Sequence, residues 1–103
     1  MTKNPYNGWF NYETWLFNLW HDDSFSGEAY EYYKASESDS TFTREENATF
    51  RLADHIKSLC EELYAPDENS FLSDITTASL QEINFHEIAK HYIDDLYKDI
   101  EAA

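Results

Sequence analysis

The spacing of apolar residues is helical along most of the chain, and the pattern is longest after Asn84. Apolar side chains recur there at i, i+3, i+4 and i+7 for about four turns. They are Phe85, Ile88, Ala89, Tyr92, Ile93, Leu96, Tyr97 and Ile100. Asn84 and Glu87 have the form of a capping box, which satisfies the free N–H groups of a first turn. We therefore predict a helix that begins after Asn84 and continues to Ile100.

Two further helices are predicted in the middle of the chain. Thr43 and Glu46 form a second capping box, and 65–66 (Ala-Pro) ends that helix because proline disfavours a helical residue before it. The buried side of this helix is predicted to hold Phe50 or Leu52, then Ala53, Ile56, Leu59, Cys60 and Leu63. Ser70 is predicted to cap a shorter helix. The inner face of that helix is predicted to hold Phe71, Leu72, Ile75, Ala78, Ser79 and Ile83.

The N-terminal third is rich in aromatic residues but lacks the strict alternation of a strand, so it also favours helices. Asn11 is predicted to start one helix, with Trp15, Leu16, Leu19 and Trp20 facing inward. Ser24 or Ser26 is predicted to cap another, with Ala29, Tyr30, Tyr33 and, as a further candidate, Tyr32 facing inward. A small, polar segment at 36–41 is predicted to be a loop. The predicted fold is all-α, a compact bundle of about five short helices in one domain, residues 1–103.

The charge of the chain is strongly negative. The 103 residues include 21 Asp and Glu but 7 Lys and Arg, a formal charge of -14. An aromatic content of 17% argues against a disordered acidic tail. Free nucleic acid and anionic membranes would repel such a chain, since both are bound through Lys and Arg. We find neither a membrane-spanning apolar run nor a secretory signal, and Cys60 has no partner for a disulfide, so we expect a cytoplasmic protein.

The residues typical of catalysis or metal binding do not form a known arrangement. His86 and His91 are five residues apart, about 140° around a helix, which is unfavourable for sharing one ion. Cys60 belongs to an apolar stripe, where a cysteine acts as a small hydrophobic residue, and His55 lies on another side of that helix. We therefore predict a protein that is not an enzyme and has no cofactor or metal. A small hydrolase or metal protein is the third-ranked alternative.

The acidic residues as a group favour a different function. Carboxylates on successive helical turns are about 5–6 Å apart, a spacing of the same order as that of nucleic-acid phosphates. We predict that a folded acidic surface binds the basic groove of a host nucleic-acid-binding protein, and that a homodimer would lengthen this surface. The predicted contact residues are Asp22, Asp23, Glu28, Glu31, Glu45 and Glu46, with Asp94, Asp95 and Asp99 as a second cluster.

Two segments resemble a group of short proteins from phages and other mobile elements. One is Asn11–Trp20, with its Asn-Tyr-Glu-Thr-Trp start, its Leu-Trp pair and the acidic turn that follows. The other is Glu82–Ala89, in which Phe85 stands where those proteins have Trp. Joined to the charge, this setting resembles the acidic inhibitors that phages direct at restriction or CRISPR systems. The resemblance implies an anti-CRISPR or anti-restriction role by nucleic-acid mimicry, and it implies no catalytic residue.

Two alternatives remain at this point. The protein is either such an inhibitor or an interaction module that binds through exposed Trp and Tyr, with the charge serving solubility. The N-terminal motif is also open to a purely structural interpretation. In that interpretation Asn11 caps a helix, while Trp15, Leu19 and Trp20 fill the core.

Overall fold

Five helices form, and side-chain caps set where most of them begin. The computed structural model describes residues 6–102, without the side chains of 97 and 99–102. The helices are α1 (Tyr12–Trp20), α2 (Ser26–Ala35), α3 (Arg44–Tyr64), α4 (Phe71–Gln81) and α5 (Phe85–Ala102). Within 6–102 there is no β-strand, and a single β-bridge joins Tyr6 to Trp9. The all-α prediction is confirmed.

The predicted caps of α1, α3, α4 and α5 are present. Thr43 and Glu46 form a reciprocal capping box at the start of α3, and Ser70 forms one with Ser73 at the start of α4. Asn11 accepts from the backbone N–H of Thr14, and Asn84 caps α5 by accepting from that of Glu87 at 3.0 Å. The second half of the box predicted at Asn84 and Glu87 is replaced, because the Asn84 N–H donates to the Thr14 hydroxyl and the Glu87 carboxylate accepts from the backbone of Phe10. These bonds satisfy amide groups that the first turn of a helix leaves without partners.

The core lies between α3 and α5, the two helices in most extensive contact, and α2 packs against both. Leu52 and Ile56 from α3 and Ile88 and Ile93 from α5 are almost fully buried. Phe25, just before α2, adds the largest fully buried side chain. The apolar stripes of α3 and α5 therefore face each other. The predicted contributions of Tyr97 and Ile100 lie outside the described side chains.

The two segments that carry the mobile-element resemblance are hydrogen-bonded to each other. The Asn11 amide donates to the carbonyl of Glu82 at 2.6 Å. The Thr14 hydroxyl donates to Asn11 Oδ1 and accepts from the backbone N–H of Asn84 at 2.8 Å. Thr14 is fully buried, so its hydroxyl links the start of α1 to the start of α5 in the interior. This part of the motif therefore has a structural role, as the structural interpretation proposed.

The inward face predicted for α1 is wrong in part. Leu19 and Trp20 are exposed, Trp20 to 79%, while the buried residues of α1 are Thr14 and Phe17. Phe17 stacks on Phe25, with ring centroids 6.4 Å apart, and makes an edge contact with Phe85. This side of α1 is inward because the Phe17 ring packs on Phe25 and Phe85 there and the polar Thr14 finds hydrogen-bond partners beside it.

Smaller corrections apply to α2 and α3. The N-cap of α2 is Phe25, without a side-chain hydrogen bond, so neither predicted serine caps the helix. Ala29 and Tyr33 are buried as predicted, but Tyr30 is exposed, with Lys34 over its ring. On α3 the core position is Leu52. Phe50 and Leu63 are both exposed, and the Phe50 ring makes an edge contact with Phe42 outside the core.

The inner face predicted for α4 is mostly exposed. Phe71 and Leu72 are 83% and 72% exposed, and Ile75 is 46% exposed. The buried residue of α4 is Ser73, from its capping box. α4 packs more lightly on the bundle than the other helices do. Its apolar pattern is real, but no other described element covers most of it.

Candidate functional site

An acidic pocket is formed by the turn after α1 and by the outer side of α5. It is open, has a volume of about 340 Å³, and contains no Lys or Arg in its lining. Asp22 and Asp23 come from the turn, and Asp95 comes from α5, more than seventy residues later. The remaining lining residues are Trp9, Asn18, Ser26, His91, Tyr92 and Leu96. The fold thus gathers carboxylates from both predicted clusters around one pocket.

Local structure determines how the acidic turn presents its carboxylates. Asp23 has a φ of 63°, in the left-handed region that Asp and Asn tolerate better than other residues with a side chain. One carboxylate oxygen of Asp23 accepts from the Ser26 hydroxyl at 2.7 Å. Asp22, Asp23 and Asp95 are all exposed. The Asp23–Ser26 hydrogen bond therefore stabilises the turn while its negative charge faces solvent.

Tyr92 of α5 lies beneath this turn and contacts its backbone. Its hydroxyl donates to the carbonyl of His21 at 3.3 Å. Burial raises the pKa of Tyr92, and the negative charges of Asp22 and Asp23 raise it further, against backbone hydrogen bonds that lower it. Tyr92 therefore stays protonated and couples α5 to the turn as a neutral group.

The other predicted contact residues with described side chains do not line this pocket. Glu28 lies 3.8 Å from His55, and Glu31 lies 3.7 Å from Lys34. Asp94 pairs with Lys90 at 2.7 Å. Glu45 and Glu46 belong to the first turn of α3, where Glu46 accepts from the backbone N–H of Thr43. The side chain of Asp99 lies outside the described residues.

Several lining residues of the pocket were missed by the sequence reasoning. Asn18 belongs to α1 and Asp22 to the turn beyond its end, so helical spacing does not relate these two residues. His91 precedes Asp95 by four residues, which places both on one side of α5. That signal was present in the sequence. Trp9 had no such signal, because its ring reaches the pocket by packing on the His91 ring, with centroids 4.3 Å apart.

An apolar groove lies on the other side of α1, with a volume of about 460 Å³. Its apolar walls are Leu16, Phe17, Trp20, Tyr64, Leu80 and Ile83, and its polar lining residues are Glu13, His21 and Ser79. His21 Nε2 and the Tyr64 hydroxyl are 2.6 Å apart, and burial lowers the pKa of His21. The groove and the acidic pocket have no lining residue in common.

The two histidines of α5 have different neighbours. His86 lies against the Phe50 ring, with centroids 5.5 Å apart, and His91 lies against Trp9. Among the residues that the structure describes, no three His, Cys, Asp or Glu side chains form a group able to hold a metal ion.

Cys60 is buried on α3, 1% exposed. Burial, with a smaller effect from Glu61, raises the pKa of Cys60 to about 11, so roughly one thiol in a thousand is ionised at pH 8. Since the thiolate is the reactive form, we expect iodoacetamide to alkylate the native protein at least about a hundredfold more slowly than the urea-unfolded protein at pH 8. Mass spectrometry over time measures both rates. Equal rates would show that Cys60 is accessible in the folded state.

No helix in the described part of the chain has the length and apolar character needed to cross a membrane.

The comparisons with known proteins identify the family. Neither curated proteins nor solved structures gave a match. A family profile, described as a family of unknown function (DUF7249), matches residues 2–102. This match covers nearly all of the sequence, and the chain belongs to the DUF7249 family.

Proposed function

We propose that this protein is a non-enzymatic inhibitor that binds a host nucleic-acid-handling protein through its acidic surface. Its place of action would be the host cytoplasm, and its role would be of the phage anti-defence kind, anti-CRISPR or anti-restriction. The observation that supports this most is the gathering of Asp22, Asp23 and Asp95 around one open pocket. These carboxylates are exposed and have no Lys or Arg beside them in the lining.

The electrostatics favour a basic protein partner. With a formal charge of -14, the folded chain carries a field that attracts cationic grooves and repels nucleic acid. The turn after α1 and helix α5 hold the backbone of these carboxylates at fixed separations, so little backbone entropy is lost when a partner's Lys and Arg side chains approach. An acidic surface of this kind competes for the site that DNA or RNA would occupy on the partner.

The resemblance to phage and mobile-element proteins supports the proposal by analogy. The Asn11–Trp20 motif itself would contribute indirectly, by positioning the acidic turn. Asn11 and Thr14 join α1 to α5, and the turn with Asp22 and Asp23 directly follows α1. The motif therefore positions the acidic turn relative to Asp95. No chemistry on a substrate is needed for this role.

Neutralising the pocket should weaken partner binding. We expect the triple variant Asp22→Asn, Asp23→Asn, Asp95→Asn to capture less of a nucleic-acid-binding partner from host lysate, because three charge contacts are lost at once. Asn is chosen because it also tolerates the positive φ of residue 23. The measurement is an immobilised-protein pull-down with quantitative mass spectrometry, followed by titration of the purified partner at increasing salt and with competing DNA or RNA.

A matched control separates this pocket from overall charge. The variant Glu37→Gln, Asp54→Asn, Glu62→Gln removes the same charge from exposed positions outside the pocket, so we expect it to bind the partner nearly as the unmodified protein does. An affinity that does not change with salt, or a partner set without any nucleic-acid-binding protein, would contradict the proposal.

A further inference from the structure

Outside the acidic pocket, the apolar groove along α1 is the surface feature that most resembles a binding site. Trp20, on one wall, is 79% exposed, although tryptophan is among the residues with most to gain from burial. Tyr64, on the opposite wall, is 43% exposed. Trp and Tyr are enriched in the hot spots of protein interfaces, which bury them in well-packed pockets. An open groove with both residues at its walls has the form of a binding site for an apolar side chain.

The apolar surface extends beyond the groove itself. Tyr64 also lines a neighbouring cavity of about 420 Å³, together with Leu72 and the carboxylates Asp67 and Glu68. Leu72 is 72% exposed. The two cavities share Tyr64 as a lining residue, so exposed apolar side chains extend from Trp20 through Tyr64 to Leu72. A surface of this length is suited to an extended or helical segment of a partner.

The charge around this surface determines what occupant it accepts. From residue 58 to residue 89 the sequence contains no Lys or Arg, but seven acidic residues: Glu61, Glu62, Asp67, Glu68, Asp74, Glu82 and Glu87. α1 and the following turn also contain no Lys or Arg, and Glu13 lines the groove itself. The stretches of chain that line the groove, α1 with its turn and residues 58–89, thus contain acidic residues and no Lys or Arg. A second copy of this chain would bring more negative charge against the carboxylates beside the groove, which disfavours it as the occupant of this site.

We propose that the groove binds a basic amphipathic segment of a partner protein. Its apolar side chains would pack between Trp20, Tyr64 and Leu80, and its Lys or Arg residues would face the carboxylates on either side. This mode is the laying of an amphipathic segment into an apolar groove. Binding in the groove differs from binding at the acidic pocket. In the groove, apolar contacts supply the affinity for the segment, and the surrounding charge selects for basic segments. The groove would therefore bind its segment whether or not the acidic pocket mimics nucleic acid.

A pair of synthetic peptides tests this proposal directly. The probe is a fluorescein-labelled peptide of about 15 residues, long enough to form a helix, with Leu at i, i+3, i+4 and i+7 and Lys elsewhere. The control has the same composition in scrambled order. We expect the ordered peptide to bind at least about tenfold more tightly, measured by fluorescence anisotropy, because only it presents an apolar face. Binding should also reduce acrylamide quenching of tryptophan fluorescence, since Trp20 is covered.

Variants assign the binding to this groove. Trp20→Ala should weaken the ordered peptide by about tenfold or more, and Leu72→Ala should weaken it to a smaller extent. Tyr30→Ala, at an exposed aromatic outside the groove, should leave it unchanged. All three residues are on the surface, so thermal unfolding should show the variants folded. Equal affinity for both peptides, no effect of Trp20→Ala, or a Trp20-dependent homodimer in sedimentation would each overturn the proposal.

Discussion

Replacing Thr14 by Val should destabilise the protein by about 2–3 kcal/mol, although the two side chains have nearly the same shape. The Thr14 hydroxyl donates to Asn11 and accepts from the backbone N–H of Asn84 at a fully buried position. Val leaves that N–H without an acceptor away from water, which costs its desolvation as well as the bond. In a domain of about 100 residues each kcal/mol corresponds to about 4–8 °C in Tm. Urea unfolding and calorimetry measure the effect.

The matched control is the same substitution on a more exposed helix. The Thr76 hydroxyl donates to the carbonyl of Leu72, within α4, and leaves no other group dependent on it. We expect Thr76→Val to change stability by less than about 0.5 kcal/mol. Hydrogen exchange gives a local readout, because the amide of Asn84 should lose protection in Thr14→Val. If both variants were equally stable, the link between α1 and α5 would not support the fold.

Replacing Ile56 by Ala should have the largest effect on stability, a loss of about 2–5 kcal/mol. Ile56 is fully buried on α3, in the core that α3 forms with α5. The loss combines the transfer energy of the removed methyl and methylene groups with the cavity that remains, because neighbouring side chains relax only in part. The free energy of unfolding in urea measures it, and unfolding should remain a single transition.

Ile75→Ala provides the comparison within the same protein. Ile75 lies on α4 and is 46% exposed. The helix propensity of Ala relative to Ile enters both variants equally, so their difference reports burial. We expect a loss below about 1 kcal/mol for Ile75→Ala. A similar loss in the two variants would mean that α4 packs as a core helix and that its apolar face is covered in solution.

The helices themselves could be predicted from the sequence because their signals are local. The Thr43–Glu46 and Ser70–Ser73 boxes join groups three residues apart, and 65–66 (Ala-Pro) ends α3 through the backbone of neighbouring residues. Such interactions depend on no distant element. The long stripe of α5 identified its buried face for the same reason, since nearly every apolar residue in it belongs to one side.

The inward face of α1 and the exposure of α4 depended on distant partners. α1 has apolar residues around most of its circumference, so periodicity did not single out one side. Thr14 turned inward because Asn84, seventy residues away, supplies its hydrogen bond. α4 has a clear apolar face, yet Phe71 and Leu72 stay exposed because no described helix lies over them.

The sequence alone determined the acidic character, the helical class and the N-cap residues of α1, α3, α4 and α5, since charge and capping are properties of short stretches of chain. Only the tertiary structure decided which carboxylates share a surface and which aromatic residues remain available. Asp22, Asp23 and Asp95 meet because α5 packs beneath the turn after α1, through Tyr92. Trp20 is exposed because α1 buries the side that holds Thr14 and Phe17, and no described element covers Trp20. Contacts between distant residues arise from packing, which the spacing of residues along one helix does not specify.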